Sequence, residues 1–173
     1  MKQTYKYDFD NPDSFFRIDN QNPSASGDYI RYQYGNEEGD ILEVDVTTFM
    51  GDIKNIDCLI CENPIEMHLE LPDEKTLSKA KIFVYSPAFT NEDGSEYDNS
   101  FRILFNREEL IMLFTPSPEK AVRFYKEDRM EYYLNRKDEV LCVKVCDLTE
   151  QEYEAIKNKK KINNPNIEIE KSR

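Results

Sequence analysis

Alternating apolar and polar residues dominate the first hundred positions of this 173-residue chain. Residues 29–34 include three tyrosines and one isoleucine, residues 35–39 are typical of a turn, and residues 41–49 place three apolar side chains on one face. Strands with a period of two that flank a short glycine-containing turn predict a β-hairpin.

Further segments favour strands. Residues 65–71 alternate between four apolar and three polar side chains until Pro72 ends the run, and residues 81–85, 100–105 and 140–145 are rich in β-branched, aromatic or other apolar residues. Such composition suits a pleated, half-buried surface. The polar stretch at residues 86–99, between the segments 81–85 and 100–105, predicts a long loop.

Helix signals occur mainly after residue 105. Residues 106–109 and 149–152 each place Asn or Thr three positions before a glutamate, which is the capping-box pattern, and residues 117–118 place a proline at a first helical position. We expect helices after the first capping box, after the proline, and from the second capping box to about Lys159.

The order of these elements predicts an α+β fold. Strands precede helices instead of alternating with them, so a parallel doubly wound sheet is disfavoured. We expect a twisted, mainly antiparallel sheet with two to three short helices on one face or end. Residues 1–12 are predicted as a polar N-terminal segment, 13–162 as a single domain and 163–173 as a polar tail.

Charge changes the functional picture more than the fold. The chain has 35 Asp and Glu against 23 Lys and Arg, a net charge of −12, and His68 is its single histidine. A charge of this size steers a protein towards basic surfaces and repels nucleic-acid phosphates. With no signal-peptide pattern and no long apolar run, the sequence predicts a cytoplasmic protein with no direct contact to nucleic acid or membrane.

Four cysteines raise the question of a zinc site. Cys58 and Cys61 form one pair, and Cys142 and Cys146 form another. On one extended strand the second pair is separated by about 13 Å at about 3.3 Å per residue, too far for two thiolates on one tetrahedral zinc. We expect buried free thiols, with no metal and no cofactor.

The acidic turns are the candidate contact surface for a basic protein. We expect the chain to be an acidic inhibitor, of an immunity or anti-defence type, that occludes a basic and possibly nucleic-acid-binding site on its partner. Acidic side chains would steer the encounter and tyrosines would anchor it. The candidate contact residues are Glu37, Glu38, Asp40, Glu92, Asp93, Glu96, Asp98, Tyr32, Tyr34 and Tyr97.

Two alternatives remain open. A small enzyme or ligand-binding protein would use a pocket on the sheet, with Glu66, His68 and Glu70 on one strand face and Arg17 as a further polar group. A structural or accessory subunit would use neither set of residues. No motif identifies a reaction, so the sequence leans against an enzyme and names no catalytic residue.

Overall fold

Two β-sheets and one α-helix form the described part of the protein. The computed structural model describes residues 3–22, 27–35, 39–81, 83–88 and 100–163, with the backbone alone from residue 160. In chain order its strands are β1 (Tyr5–Asp8), β2 (Phe16–Asn20), β3 (Tyr29–Gly35), β4 (Ile41–Thr47), β5 (Ile53–Ile60), β6 (Ile65–Glu66), β7 (Ser78–Lys79), β8 (Arg102–Phe105), β9 (Leu110–Leu113), β10 (Arg123–Glu127), β11 (Met130–Leu134) and β12 (Val140–Val145). The helix α1 spans Glu150–Asn163. In this described part, no helix has the length and apolar character needed to cross a membrane.

The strand order defines a five-stranded first sheet and a seven-stranded second sheet. The first sheet has the order β1-β2-β5-β4-β3, and the second has β6-β8-β9-β12-β11-β10-β7. Neighbouring strands are antiparallel except at the two edges of the second sheet, where β6 runs parallel to β8 and β7 runs parallel to β10. The fold is therefore mostly β, and the prediction of two to three helices is wrong because one α-helix is present in the described residues.

The inner faces of the two sheets share one hydrophobic core. Ile18 and Val44 from the first sheet and Met112 and Val143 from the second belong to the same buried cluster. Full burial of such side chains stabilises a fold by about 1.5–3 kcal/mol each. The alternating pattern of the strands thus arises because two sheets face each other and each buries one face in the core.

The first predicted helix is instead a turn between two strands. Asn106 follows β8, and its side-chain Oδ1 accepts hydrogen bonds from the backbone N–H groups of Glu108 (2.8 Å) and Glu109 (3.2 Å). The backbone N–H of Asn106 donates to the carbonyl of Glu109 at 3.0 Å. An Asn side chain that can cap a helix can also close a tight turn, and here the apolar residues that follow pair as β9.

The second predicted helix is reduced to a single 3-10 turn. Pro118 does lie at its first position, but the turn ends at Lys120 and β10 follows from Arg123. Phe124 and Tyr125 in β10 stand opposite Tyr133 and Tyr132 in β11. Aromatic cross-strand pairs stabilise a sheet, and this pairing outweighs the local helix signal.

Some of the predicted strands are present in the structure. The hairpin is confirmed as β3 and β4, which pair without interruption from Tyr29↔Thr47 to Gly35↔Ile41. The strand at 140–145 is confirmed as β12, and β8 occupies most of 100–105. At 81–85 the described residues form no strand.

The third predicted helix is confirmed as α1, together with its capping box. The backbone N–H of Glu152 donates to Thr149 Oγ1 at 3.1 Å, and the N–H of Thr149 donates to Glu152 Oε1 at 3.0 Å. Glu152 also binds the guanidinium of Arg129 through both oxygens, at 2.7 and 3.1 Å. This ion pair ties the start of α1 to the turn between β10 and β11.

The N-terminal residues and α1 hold each other in place. Residues 1–12, predicted as a polar segment, contribute β1 to the first sheet and place Phe9 in the core. The Lys159 ammonium donates to three backbone carbonyls, those of Asn11 (2.8 Å), Ser14 (2.7 Å) and Phe15 (2.8 Å). Lys159 therefore has a structural role.

Candidate functional site

A strap of eleven residues, 67–77, crosses the outer face of the second sheet between β6 at one edge and β7 at the other. Seven strands about 4.8 Å apart place these edges about 29 Å from each other. The strap spans that distance with one 3-10 turn at Glu74–Thr76. The predicted strand at 65–71 is therefore wrong beyond Glu66, because only two of its residues pair with β8.

The apolar residues of the strap cover the sheet. Leu69, Leu71 and Leu77 pack against a second buried cluster on the outer face, which includes Ile111 and Cys142. At the start of the strap Met67 donates its N–H to the carbonyl of Phe105 at 2.9 Å. The alternation that predicted a paired strand thus belongs to a segment that covers the sheet.

A groove remains between the strap and the sheet. Its volume is about 530 Å³, which is within the usual range of ligand sites. The strap contributes one wall and the strands β9–β12 with their turns contribute the other. The lining residues are His68, Leu69, Glu70, Leu71, Pro72, Asp73, Glu74, Glu109, Lys126, Glu131, Tyr133 and Lys144.

Lys144 lies at the centre of an ion-pair network on the floor of the groove. Its ammonium is 3.1 Å from Glu131 and 3.5 Å from Glu109, and these three side chains are only 20%, 10% and 14% exposed. Burial alone would lower the pKa of Lys144, but Tyr133 and the two carboxylates outweigh it and raise the pKa. Lys144 is therefore held in its charged form.

Glu131 accepts further contacts at the same place. The Tyr133 hydroxyl donates to its Oε2 at 3.2 Å, and the half-exposed Lys126 lies 3.7 Å from its Oε1. Burial, together with the charge of Glu131, raises the pKa of the Cys146 thiol to about 12. Burial and Glu131 thus disfavour the thiolate form of Cys146, although Lys144 and Lys126 oppose them.

His68 stands at the mouth of the groove. Its Nδ1 is 3.5 Å from Glu109 Oε1, and the imidazole side chain is 70% exposed. The Asn106 amide donates to the same carboxylate oxygen at 3.3 Å. Glu109 can thus orient His68, in the manner of a histidine–carboxylate pair, while the ring stays accessible from solvent.

The groove has an acidic balance. Five carboxylates line it against two lysines, which gives a net charge of −3 with His68 neutral. Both lysines lie beside Glu131, at 3.1 Å for Lys144 and 3.7 Å for Lys126, so their charges are already partly compensated. A partly buried cleft with an excess of negative charge focuses the electric field and favours a positively charged guest.

The structure separates the residues of the predicted sheet pocket. His68 and Glu70 line the groove, as that prediction requires. Glu66 instead accepts a hydrogen bond from the Tyr153 hydroxyl of α1 at 2.6 Å. Arg17 lies on the first sheet, where it pairs with Asp19 and Asp57 at 2.9 Å each. Two of the four residues therefore share a site.

Two of the predicted contact residues are buried and cannot contact a partner. Asp40 is 5% exposed and its Oδ1 accepts the N–H of Glu62 at 2.9 Å. Tyr34 is 3% exposed, and its hydroxyl is 2.6 Å from that of Tyr85 in the core. Tyr32 is half-buried against the main core. Outside the described residues lie Glu37, Glu38, Glu92, Asp93, Glu96, Tyr97 and Asp98.

Glu109, Glu131 and Lys144 were not among the site residues predicted from the sequence. A usable signal was present, since Glu131 and Lys144 are single charges inside otherwise apolar strands and stand directly opposite each other in β11 and β12. Opposite charges at facing positions stabilise a sheet, but finding them requires the pairing register. That register cannot be obtained from one sequence without the turn geometry.

The cysteines occupy separate places in the fold. Cys58, Cys61 and Cys142 are buried free thiols, as predicted, whereas the free thiol Cys146 is only half-buried. In the described part of the chain no three His, Cys, Asp or Glu side chains are grouped so as to hold a metal ion.

No known family model matches the chain, and no curated protein matches its sequence.

Proposed function

We propose that this protein binds a basic protein partner and accepts a cationic side chain of that partner in the groove beneath the strap. The observation that carries the proposal is the charge of the groove, which has five carboxylates, while both of its lysines lie beside Glu131. An incoming Arg or Lys meets carboxylates at the rim, on Glu70 and Glu74, before it reaches the floor. An anionic guest meets net repulsion.

The net charge of the whole chain favours the same kind of partner. A net charge of −12 raises the rate of encounter with basic surfaces, most strongly at low ionic strength. Basic proteins that act on nucleic acids present their Arg and Lys residues to phosphates. Capture of such a residue in the groove occludes it, which is the action expected of an immunity-type or anti-defence-type inhibitor.

A binding experiment with matched charge variants tests this proposal. Fluorescence anisotropy measures the affinity of labelled hexa-arginine for the protein at low and high salt. We expect Glu70→Gln to weaken binding about fivefold, since a partly exposed ion pair contributes about 1 kcal/mol. Glu119→Gln removes the same charge at an exposed residue outside the groove, in the 3-10 turn before β10, and should leave the affinity within about twofold.

Equal losses for the two variants would refute the proposal, because only the overall charge would then matter. Binding that is insensitive to salt would refute it as well.

The pair of His68 and Glu109 supports a second candidate function. A histidine held 3.5 Å from a carboxylate at the mouth of a groove is suited to proton transfer with a small ligand. His68→Ala separates the two functions, since it would abolish turnover of a ligand. We expect the same variant to change hexa-arginine affinity less than Glu70→Gln does.

A further inference from the structure

The free edges of the two sheets differ in how well they are protected. An unpaired edge presents backbone N–H and C=O groups that can bind another strand, and proteins blunt such edges with short strands, prolines, bulges or covering groups. The second sheet ends at β6 and β7, which have two residues each. The first sheet ends at β1, with four residues, and β3, with seven.

The β1 edge is covered by the turn between β10 and β11. The backbone N–H of Tyr5 donates to Asp128 Oδ2 at 3.2 Å, and the Tyr7 hydroxyl donates to the same oxygen at 3.1 Å. An added strand would have to displace these contacts. This edge is therefore closed to strand addition.

In the described residues the β3 edge carries one charged side chain, Arg31, which is paired with Asp45 of β4 at 2.8 Å, and has no other of these protections. Its register with β4 has no bulge, and the strand has no proline. The N–H of Thr48 donates to the Asp28 carbonyl at 3.1 Å, so antiparallel alternation turns the backbone groups of Tyr29, Arg31 and Gln33 away from β4. Among described residues, no backbone contact satisfies these outward groups.

An exposed apolar patch adjoins one end of this edge. Ile30 is 50% exposed at the start of β3, and the turn after β4 presents Phe49 at 91% and Met50 at 57% exposure. Val84 is 52% exposed and lies next to the same turn, since the N–H of the following residue, Tyr85, donates to the Gly51 carbonyl at 3.4 Å. Clustered exposed apolar side chains mark interaction sites.

A second copy of the chain is a poor occupant of this edge. Two-fold antiparallel pairing of β3 with itself would place the apolar start of one strand beside the Gly35 end of the other, so neither patch would be covered. Each copy also has a net charge of −12, and their repulsion opposes association.

We propose that β3 binds an extended segment of a basic polypeptide, which adds as a sixth strand to the first sheet and covers the apolar patch with alternating apolar residues. Backbone hydrogen bonds to Tyr29, Arg31 and Gln33 provide affinity, and side chains over Ile30 and Phe49 provide specificity. This inference goes beyond the proposed function, because it uses the other sheet and does not depend on the groove.

Amide hydrogen exchange by NMR tests the proposal, with the synthetic peptide Lys-Thr-Val-Lys-Val-Thr-Val-Lys as the probe. We expect the amides of Tyr29, Arg31 and Gln33 to exchange at least about tenfold more slowly with the peptide bound, while those of Ile30 and Tyr32 change little. Unchanged exchange at saturating peptide would overturn the proposal. Protection that appears without peptide and grows with protein concentration would also overturn it, in favour of a second copy.

Paired variants locate the contact. Gln33→Pro removes one outward N–H at an edge position that tolerates proline, and Gln33→Ala keeps it. We expect at least about fivefold weaker peptide binding for the proline variant and about unchanged binding for the alanine variant. If the proline variant does not fold, Phe49→Ser at its exposed turn should weaken binding about fivefold without loss of stability. Full affinity in Phe49→Ser would contradict the proposal.

Discussion

Replacement of Lys144 by Met tests the ion-pair network on the groove floor. The Met side chain keeps the apolar stem that packs on the sheet and removes only the ammonium. Glu131 and Glu109 are then left 10% and 14% exposed without the cation beside them. Removal of one partner from a buried pair is more damaging than loss of the attraction alone, because an uncompensated charge stays buried.

The size of the effect can be estimated from the distances. At 3.1 Å and an effective dielectric constant of about 20, the attraction between Lys144 and Glu131 is about 5 kcal/mol before desolvation. The desolvation of both ions offsets more than half of it, and the 20% exposure of Lys144 lets water screen the rest. We expect Lys144→Met to lower the free energy of unfolding by about 2–3 kcal/mol.

Urea unfolding followed by circular dichroism measures this loss as a lower midpoint with an unchanged slope. Lys126→Met is the matched control, since Lys126 is 52% exposed and 3.7 Å from the same carboxylate. That exposed pair should contribute at most about 1 kcal/mol. Equal losses for the two variants, or a loss below about 0.5 kcal/mol for Lys144→Met, would refute the role assigned to the network.

Three further outcomes follow from the ionisable groups. Burial would raise the pKa of Glu152, but Arg129 and the cap at Thr149 outweigh it and lower the pKa. The contribution of Glu152 to stability is therefore present above its unfolded pKa of about 4.3 and is lost as pH falls through the folded pKa. Acid unfolding monitored by circular dichroism should therefore begin at higher pH in Arg129→Met. The pKa of Lys144 is raised, so the pH dependence of its contribution to stability has the opposite sign. That contribution is present below the unfolded pKa of about 10.4 and is lost as pH rises through the folded pKa. The stabilities of wild type and Lys144→Met, plotted against pH, should therefore converge at high pH. Burial raises the pKa of the Cys142 thiol, so alkylation measured by mass spectrometry should be slow in the native protein and fast in urea.

The sequence pattern predicted an element correctly where contacts between nearby residues decide its structure. The β3–β4 hairpin follows from its alternation and turn, and α1 follows from a capping box whose hydrogen bonds form within four residues. His68 and Glu70, which the sequence pattern placed near each other, both line the groove, together with the Leu69 between them.

The sequence pattern gave the wrong element where pairing with residues distant in the chain decides the structure. Asn106 carries the same signal as Thr149, yet its segment pairs as β9 because β8 and β12 are available on either side. Residues 65–71 alternate like a strand, but β8 offers pairing to only two of them and the remainder becomes the strap. The groove depends on that long-range arrangement, so its floor at Glu131 and Lys144 could not be found from local pattern.

The most direct test of the proposed binding site is an NMR titration of the isotope-labelled protein with hexa-arginine at low salt. We predict that the largest amide shifts lie in the strap around Glu70 and in β11 and β12 around Glu131 and Lys144, and that high salt reverses them. Shifts spread over acidic residues of both sheets, with the groove no different from the rest, would contradict a specific site for a cationic group.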